Sequence, residues 1–221
     1  MTIVMVQGKR KMTRVMNSSP DGSGRAKRTH PSAPGESWDV GKRAGATRER
    51  IMDAAGRLFR AGGIDAVGVD AVMREAGLTH GGFYAHFASK EALAAEMAAT
   101  GLARSAARWE EASRDPDRRA ALARIVEPYL HPAHVAAPAR GCLLAALGPE
   151  IARRDAARPG VTAAIGRMIE ALARCLPGRR RERALAALSC MVGAVVLARI
   201  ADDPALSAEL LDAARAAVVG R

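Results

Sequence analysis

Between Thr47 and Val219 the chain reads as one helical pattern after another, each closed by glycine or proline punctuation. Nowhere does it hold an extended run of Val, Ile, Thr, Tyr and Phe that would make a strand. That confines the fold class to all-α. Aromatic residues make up only 3% of the 221, while apolar residues reach 49%, enough for a sizeable core in one or two domains. The stop signals "HPAHVAAP", "RPG", "PGRR" and "DDP" mark out helices at about 117–130, 141–155, 160–175, 179–200 and 204–219. A longer helix opens at "KEALAAEM", capped by Ser89, and runs to about Ser113.

The formal net charge of +11 suggests a polyanionic partner, but its distribution matters more than its size. Residues 1–45 carry nine Lys/Arg against three Asp/Glu, residues 46–95 six against six, and residues 96–221 nineteen against fourteen. Residues 1–44, rich in Ser, Pro, Gly, Lys and Arg, read as a disordered basic arm, either a solvated tail or a source of extra non-specific phosphate affinity. Cys142, Cys175 and Cys190 have no paired spacing, which suits a reducing cytoplasm. The opening "MTIVMVQGKRKM" lacks the apolar segment of a signal peptide, and "ALSCMVGAVVLARI" is too short to span a bilayer. The expectation is a soluble, cytoplasmic protein with no membrane partner.

From Thr47, read as an N-cap, Ile51, Ala54, Ala55, Leu58 and Phe59 form an apolar helical face that Gly62 and Gly63 end. A short helix from Val69 to about Ala76 follows, with Gly77 in the left-handed position that closes it. Thr79 then caps a third helix, and Leu78 and Phe83 occupy the two positions of a hydrophobic staple. Two helices joined by a tight glycine turn make a helix-turn-helix, at about 68–87, whose second helix enters the major groove. Gly81 and Gly82 cost helix propensity but leave the first turn bare, so the backbone can approach DNA closely. Phe83 and Phe87 face inward with Phe59, whereas His80 and Tyr84 share another face that can reach DNA. Thr79 can cap or meet a phosphate, and Lys90 reads as a phosphate contact.

With these residues in place, residues 45–105 resemble the DNA-binding domain of the TetR family of bacterial transcriptional regulators. The resemblance rests on "AAGRLFRAGG", "EAGLT" and "FYAHFASKEAL" at their combined spacing. It implies a three-helix N-terminal domain, a C-terminal helical ligand-binding and dimerisation domain over 106–221, and a homodimer on a near-palindromic double-stranded DNA operator. Carried over by position, Thr47, Gly68, Thr79, His80, Gly81, Gly82, Tyr84, His86 and Lys90 lie at or near that DNA. Two positions depart from the family pattern. Gly68 stands where a Ser or Thr usually caps the second helix, and Met73 stands where a small alanine is usual.

The last two helices are apolar around much of their circumference, which demands burial on more than one side; a four-helix bundle with a partner copy would supply it. Cys142, beside Arg140 at a helix start, is a candidate reactive thiol for an electrophile or oxidant signal. Trp109, Tyr129, Leu144 and Met168 are candidates to line a pocket for a neutral small-molecule effector between the middle helices. No enzyme motif, P-loop or metal spacing is present, so no catalytic residue, cofactor or metal is expected. The reading is a DNA-binding regulator, a repressor released by its effector. The rival reading is a helical protein–protein interaction module, against which the bare glycine pair argues.

Overall fold

The computed structural model describes residues 36–220, with side chains described from Ala44 onward. The described residues are helical, with no strand among them. Helix α1 (Glu36–Gly62), α2 (Val69–Glu75) and a 3-10 helix (His80–Ala85) form the N-terminal unit, which α3 (Lys90–Ala112) joins to the rest. Then come α4 (Arg118–Tyr129), the single turn α5 (Pro132–Val135), a 3-10 turn (Pro138–Arg140), α6 (Leu143–Ala152), α7 (Arg158–Cys175), α8 (Arg180–Ile200) and α9 (Pro204–Val219). Punctuation acts as expected. Gly63 ends α1 at φ +86°, and the Ser89 hydroxyl accepts from the Ala92 N–H at 3.1 Å. Asp117 and Asp203 cap α4 and α9 in the same way.

Three expectations are corrected. Helix α1 begins at Glu36, so Thr47 lies inside it rather than capping it, and residues 36–44 are helix rather than disordered arm. No proline lies between Pro34 and the end of α1 at Gly62, and Gly41 and Gly45 weaken a helix without breaking it. The remainder of the expected arm, residues 1–35, lies outside the described residues. The "HPAHVAAP" segment, expected as a break, winds into α5 and the 3-10 turn. Finally, α8 is long and apolar enough by length and composition to cross a membrane; its charged residues, Arg180, Arg181, Glu182, Arg183 and Arg199, lie toward its two ends. Here it is a core helix: Ala184, Ala187, Leu188, Met191, Ala194 and Val195 are buried, and α8 packs against α6, α7 and α9.

Helices α3 and α7 form the most extensive helix pair. Their approach depends on small residues: a Cβ at Gly160 would fall 2.5 Å from the Cβ of Ala99. The N-terminal unit is fixed to this body through α6. Glu150 accepts from the Ile64 N–H at 2.7 Å and the Asp65 N–H at 3.3 Å. Arg154, only 11% exposed, binds Glu91 at 3.1 Å and also the Asp65 carboxylate.

Candidate nucleic-acid interface and regulatory chamber

The turn after α2 is built by hydrogen bonds that glycine alone accommodates cheaply. Gly77, at φ +68°, donates to the Arg74 carbonyl at 3.0 Å, and Leu78 donates to Met73 at 2.8 Å, the paired bonds of a Schellman motif. Arg50 adds a cap by donating to the Ala76 carbonyl at 2.5 Å. Thr79 is extended, and the chain then enters the His80–Ala85 helix as 3-10 rather than the α-helix expected. Six residues led by a glycine pair are too short and too weak in propensity to sustain α-helix on their own.

Beneath this helix the aromatic core holds it. Phe59 and Phe83 are fully buried, Phe87 nearly so, and the rings of Phe83 and Phe87 stack at 5.8 Å. The Arg48 guanidinium lies 4.3 Å over Phe87 while gripping the Glu96 carboxylate with both ends. Above it, Tyr84 is 66% exposed and meets His80 edge-on at 6.3 Å. His80 is also paired with Asp70 of α2. The Thr79 hydroxyl is exposed and makes no cap bond.

The glycines have no internal explanation. A Cβ at Gly81 would meet nothing within 4 Å, and one at Gly82 would meet only the Met73 Cε at 3.6 Å, an ordinary contact. Neither is among the glycines with positive φ. Gly68, extended at φ −80° before α2, is equally open. His86 and Thr47 are half-buried. Lys90 stands apart from the expectation of a phosphate contact. Its ammonium donates to the carbonyls of Ile64, Asp65 and Val67 at 3.0–3.3 Å and so holds the loop between α1 and α2.

The other basic residues of 46–95 are committed in the same way. Arg48 binds Glu96, Arg57 binds Glu75 at 3.0 Å, Arg50 holds Ala76, and Arg60 donates to the Ala139 carbonyl at 2.9 Å. Arg74 alone has no partner among the described residues. Sequence reasoning missed Arg48, Arg50, Glu150 and Arg154, because nothing in local spacing separates them from other surface charges.

On the far side of α3 a cavity of about 340 Å³ is walled by Trp109, Tyr129 and Met168, three of the four expected pocket residues, and by Cys142, the expected reactive thiol. Leu144 is not in the wall; two positions past Cys142, it packs half-buried against the core. Trp109 meets Tyr129 edge-on at 5.6 Å, and Tyr129 meets His134 at 5.0 Å. Cys142 is the N-cap residue of α6, and its N–H donates to His134 Nε2 at 2.7 Å. That bond makes Nδ1 the protonated nitrogen, which donates to the Tyr129 carbonyl at 2.5 Å. Burial, first of all, holds His134 below the ordinary imidazole range. The Tyr129 hydroxyl is buried with no geometric hydrogen-bond partner among the described residues, and burial, then the neighbouring Cys142, drives its pKa far upward. Burial also raises the Cys175 thiol.

The bacterial regulatory proteins of the tetR family match residues 51–97. No curated protein matches the chain in sequence. The fold is similar to that of reduced NemR from E. coli, with TM-score 0.66, 23% identity, and 78% of this chain and 95% of that one covered. It is similar also to the fatty acid degradation regulator FadR from Bacillus halodurans, with TM-score 0.62, 15% identity and coverage of 79% and 95%. A TetR-family regulator from Agrobacterium tumefaciens gives TM-score 0.67, 18% identity and coverage of 78% and 97%.

Proposed function

We propose that this chain, a DNA-binding transcriptional regulator of the TetR family by its residues 51–97, acts in the cytoplasm as a homodimeric repressor released from its operator by a small molecule. One observation carries the DNA-facing part: Gly81 and Gly82 are required neither by backbone conformation nor by any neighbour inside the chain. What the pair provides is a bare backbone on the outer face of the reading helix, flanked by Thr79, His80 and Tyr84. In this reading Gly68, Thr47 and His86 also lie near the DNA, while Lys90 contributes by holding the loop that carries α2.

Dimerisation through α8 and α9 is supported by the apolar side chains these helices leave uncovered. Leu185, Leu197, Ile200 and Leu206 are between 43% and 73% exposed. The chamber is the effector site in this reading. Helix α6 begins at its wall with Cys142 and ends at the Glu150 and Arg154 contacts to the N-terminal unit, so a ligand that shifts α6 shifts the reading helix. An electrophile entering the chamber would meet the Cys142 thiol directly.

The test is fluorescence anisotropy on the DNA upstream of the gene, against a scrambled duplex, across a salt series. The intact protein selects the upstream DNA. Gly81→Val weakens that binding by about 100-fold while the thermal midpoint stays close to that of the parent. A large loss of folding in that variant refutes this account of the glycines. Release of DNA by a thiol-reactive electrophile, absent in Cys142→Ser, assigns the signal to the thiol; release in both assigns it elsewhere.

A further inference from the structure

The chamber does not end at its apolar wall. Its mouth, at Ser105, Arg108, Arg140 and Gly141, is shared with a second cleft of about 330 Å³ between α1, α3 and the Pro138–Arg140 turn. The chamber lining contains no Asp or Glu. The cleft lining contains one, Asp53, which Arg104 already holds at 3.0 Å. At the shared mouth Arg108 is bound only to the Ser105 hydroxyl, at 3.0 Å, and the Arg140 side chain has no partner among the described residues. Inside, the buried Tyr129 hydroxyl has no oxygen or nitrogen acceptor among the described residues and only the Cys142 thiol beside it, while both ring nitrogens of His134 are already engaged. The space therefore combines an apolar body with unspent donors and no competing carboxylate.

Resting on the reading of the chamber as the effector site, we propose that the effector is an amphipathic anion: an apolar body against Trp109, Tyr129 and Met168, and an anionic head between Arg108 and Arg140. Arginine pairs bind carboxylate and phosphate alike in charge-assisted hydrogen bonds. The shared chemistry is thus an acidic oxygen cluster on a short hydrocarbon or aryl body. A neutral ligand of the same shape would leave the arginines unpaired, and a cationic one would be repelled.

Trp109 supplies a site-specific readout. In the full chain carrying Trp38→Phe, Trp109 emission is followed while octanoate, octyl phosphate, 1-octanol and octylamine are titrated separately. The two anions bind at least about tenfold more tightly than octanol, and octylamine more weakly still; whichever anion is tighter identifies the head as carboxylate or phosphate. Arg108→Ala/Arg140→Ala removes the preference for anions and leaves octanol binding unchanged. Both side chains are exposed, so folding is retained, and an unaltered thermal midpoint checks it. Equal binding of octanol and octanoate, a preference that survives the double substitution, or no Trp109 response to any of the four overturns the proposal. Operator anisotropy on the same samples separates the two readings. Intact DNA binding without ligand preference refutes the anion site alone, whereas absent DNA binding refutes the regulator reading itself.

Discussion

Around the helix-turn-helix, Arg48, Arg50, Arg57 and Arg60 are each tied to a carboxylate or a carbonyl of the chain itself. At the mouth of the chamber, Arg108 has only a hydroxyl and Arg140 has no partner among the described residues. The two regions hold the same cation and use it oppositely: in one it is spent on architecture, in the other it is left for a guest. A formal net charge of +11 does not distinguish them. The segment that faces DNA is neutral by count, and the geometry leaves Arg74 as its one unengaged cation among the described residues. In the proposed reading, contacts there depend on backbone, hydroxyl and aromatic groups more than on charge.

The sharpest way to break this contrast is to remove a spent cation. Arg154→Met leaves Asp65, Glu91 and Glu150 facing one another around a nearly buried position. Its expected cost is about 2–3 kcal/mol of stability by denaturant unfolding. Lys90→Met frees three carbonyls of the α1–α2 loop and costs about 1–2 kcal/mol. The salt dependence of operator binding should not change; a slope that falls by about one would return Lys90 to the role of a phosphate ligand. Arg74→Ala, by contrast, leaves stability unchanged and lowers that slope by about one, with a several-fold loss of affinity at low salt.

The smallest effect concerns His134, whose neutral ring links the chamber to the start of α6. Its folded-state pKa lies below the 6.5 of a free imidazole, so as the pH falls the unfolded chain takes up the proton first. The contribution to stability is complete above pH 6.5 and is lost as the pH falls from there toward the folded-state value. The thermal midpoint should drop accordingly on acidification, and His134→Gln should flatten that dependence.

Much of this architecture was legible because it is local. The 3.6-residue periodicity, Ser89, Asp117 and Asp203 at helix starts, and Gly63 and Gly77 at helix ends each act over a few residues. The four-residue spacing of Phe83 and Phe87 was enough to separate core from the exposed Tyr84. What escaped is long-range. Lys90 looks like a surface charge until the carbonyls of residues 64, 65 and 67 fold beneath it. Glu150 reaches 86 residues back to the Ile64 amide, and no spacing announces such a contact. Leu144 and Cys142 are two residues apart on one turn, so choosing which faces the cavity required the rotation of α6. The start of α1 was misplaced because a glycine-containing stretch with no proline carries no stop signal in either direction.

The reading element is six residues of 3-10 helix. At about 2 Å per residue it extends roughly 12 Å, the rise of about three to four base pairs. Its period of three also sets Gly81 in line with Tyr84, so in the proposed reading the bare backbone and the phenol would sample the same strip of groove. One such element can spell only a short word. Discrimination among the many similar words in a genome must then draw on repetition of that word and on the stiffness of the DNA between the repeats.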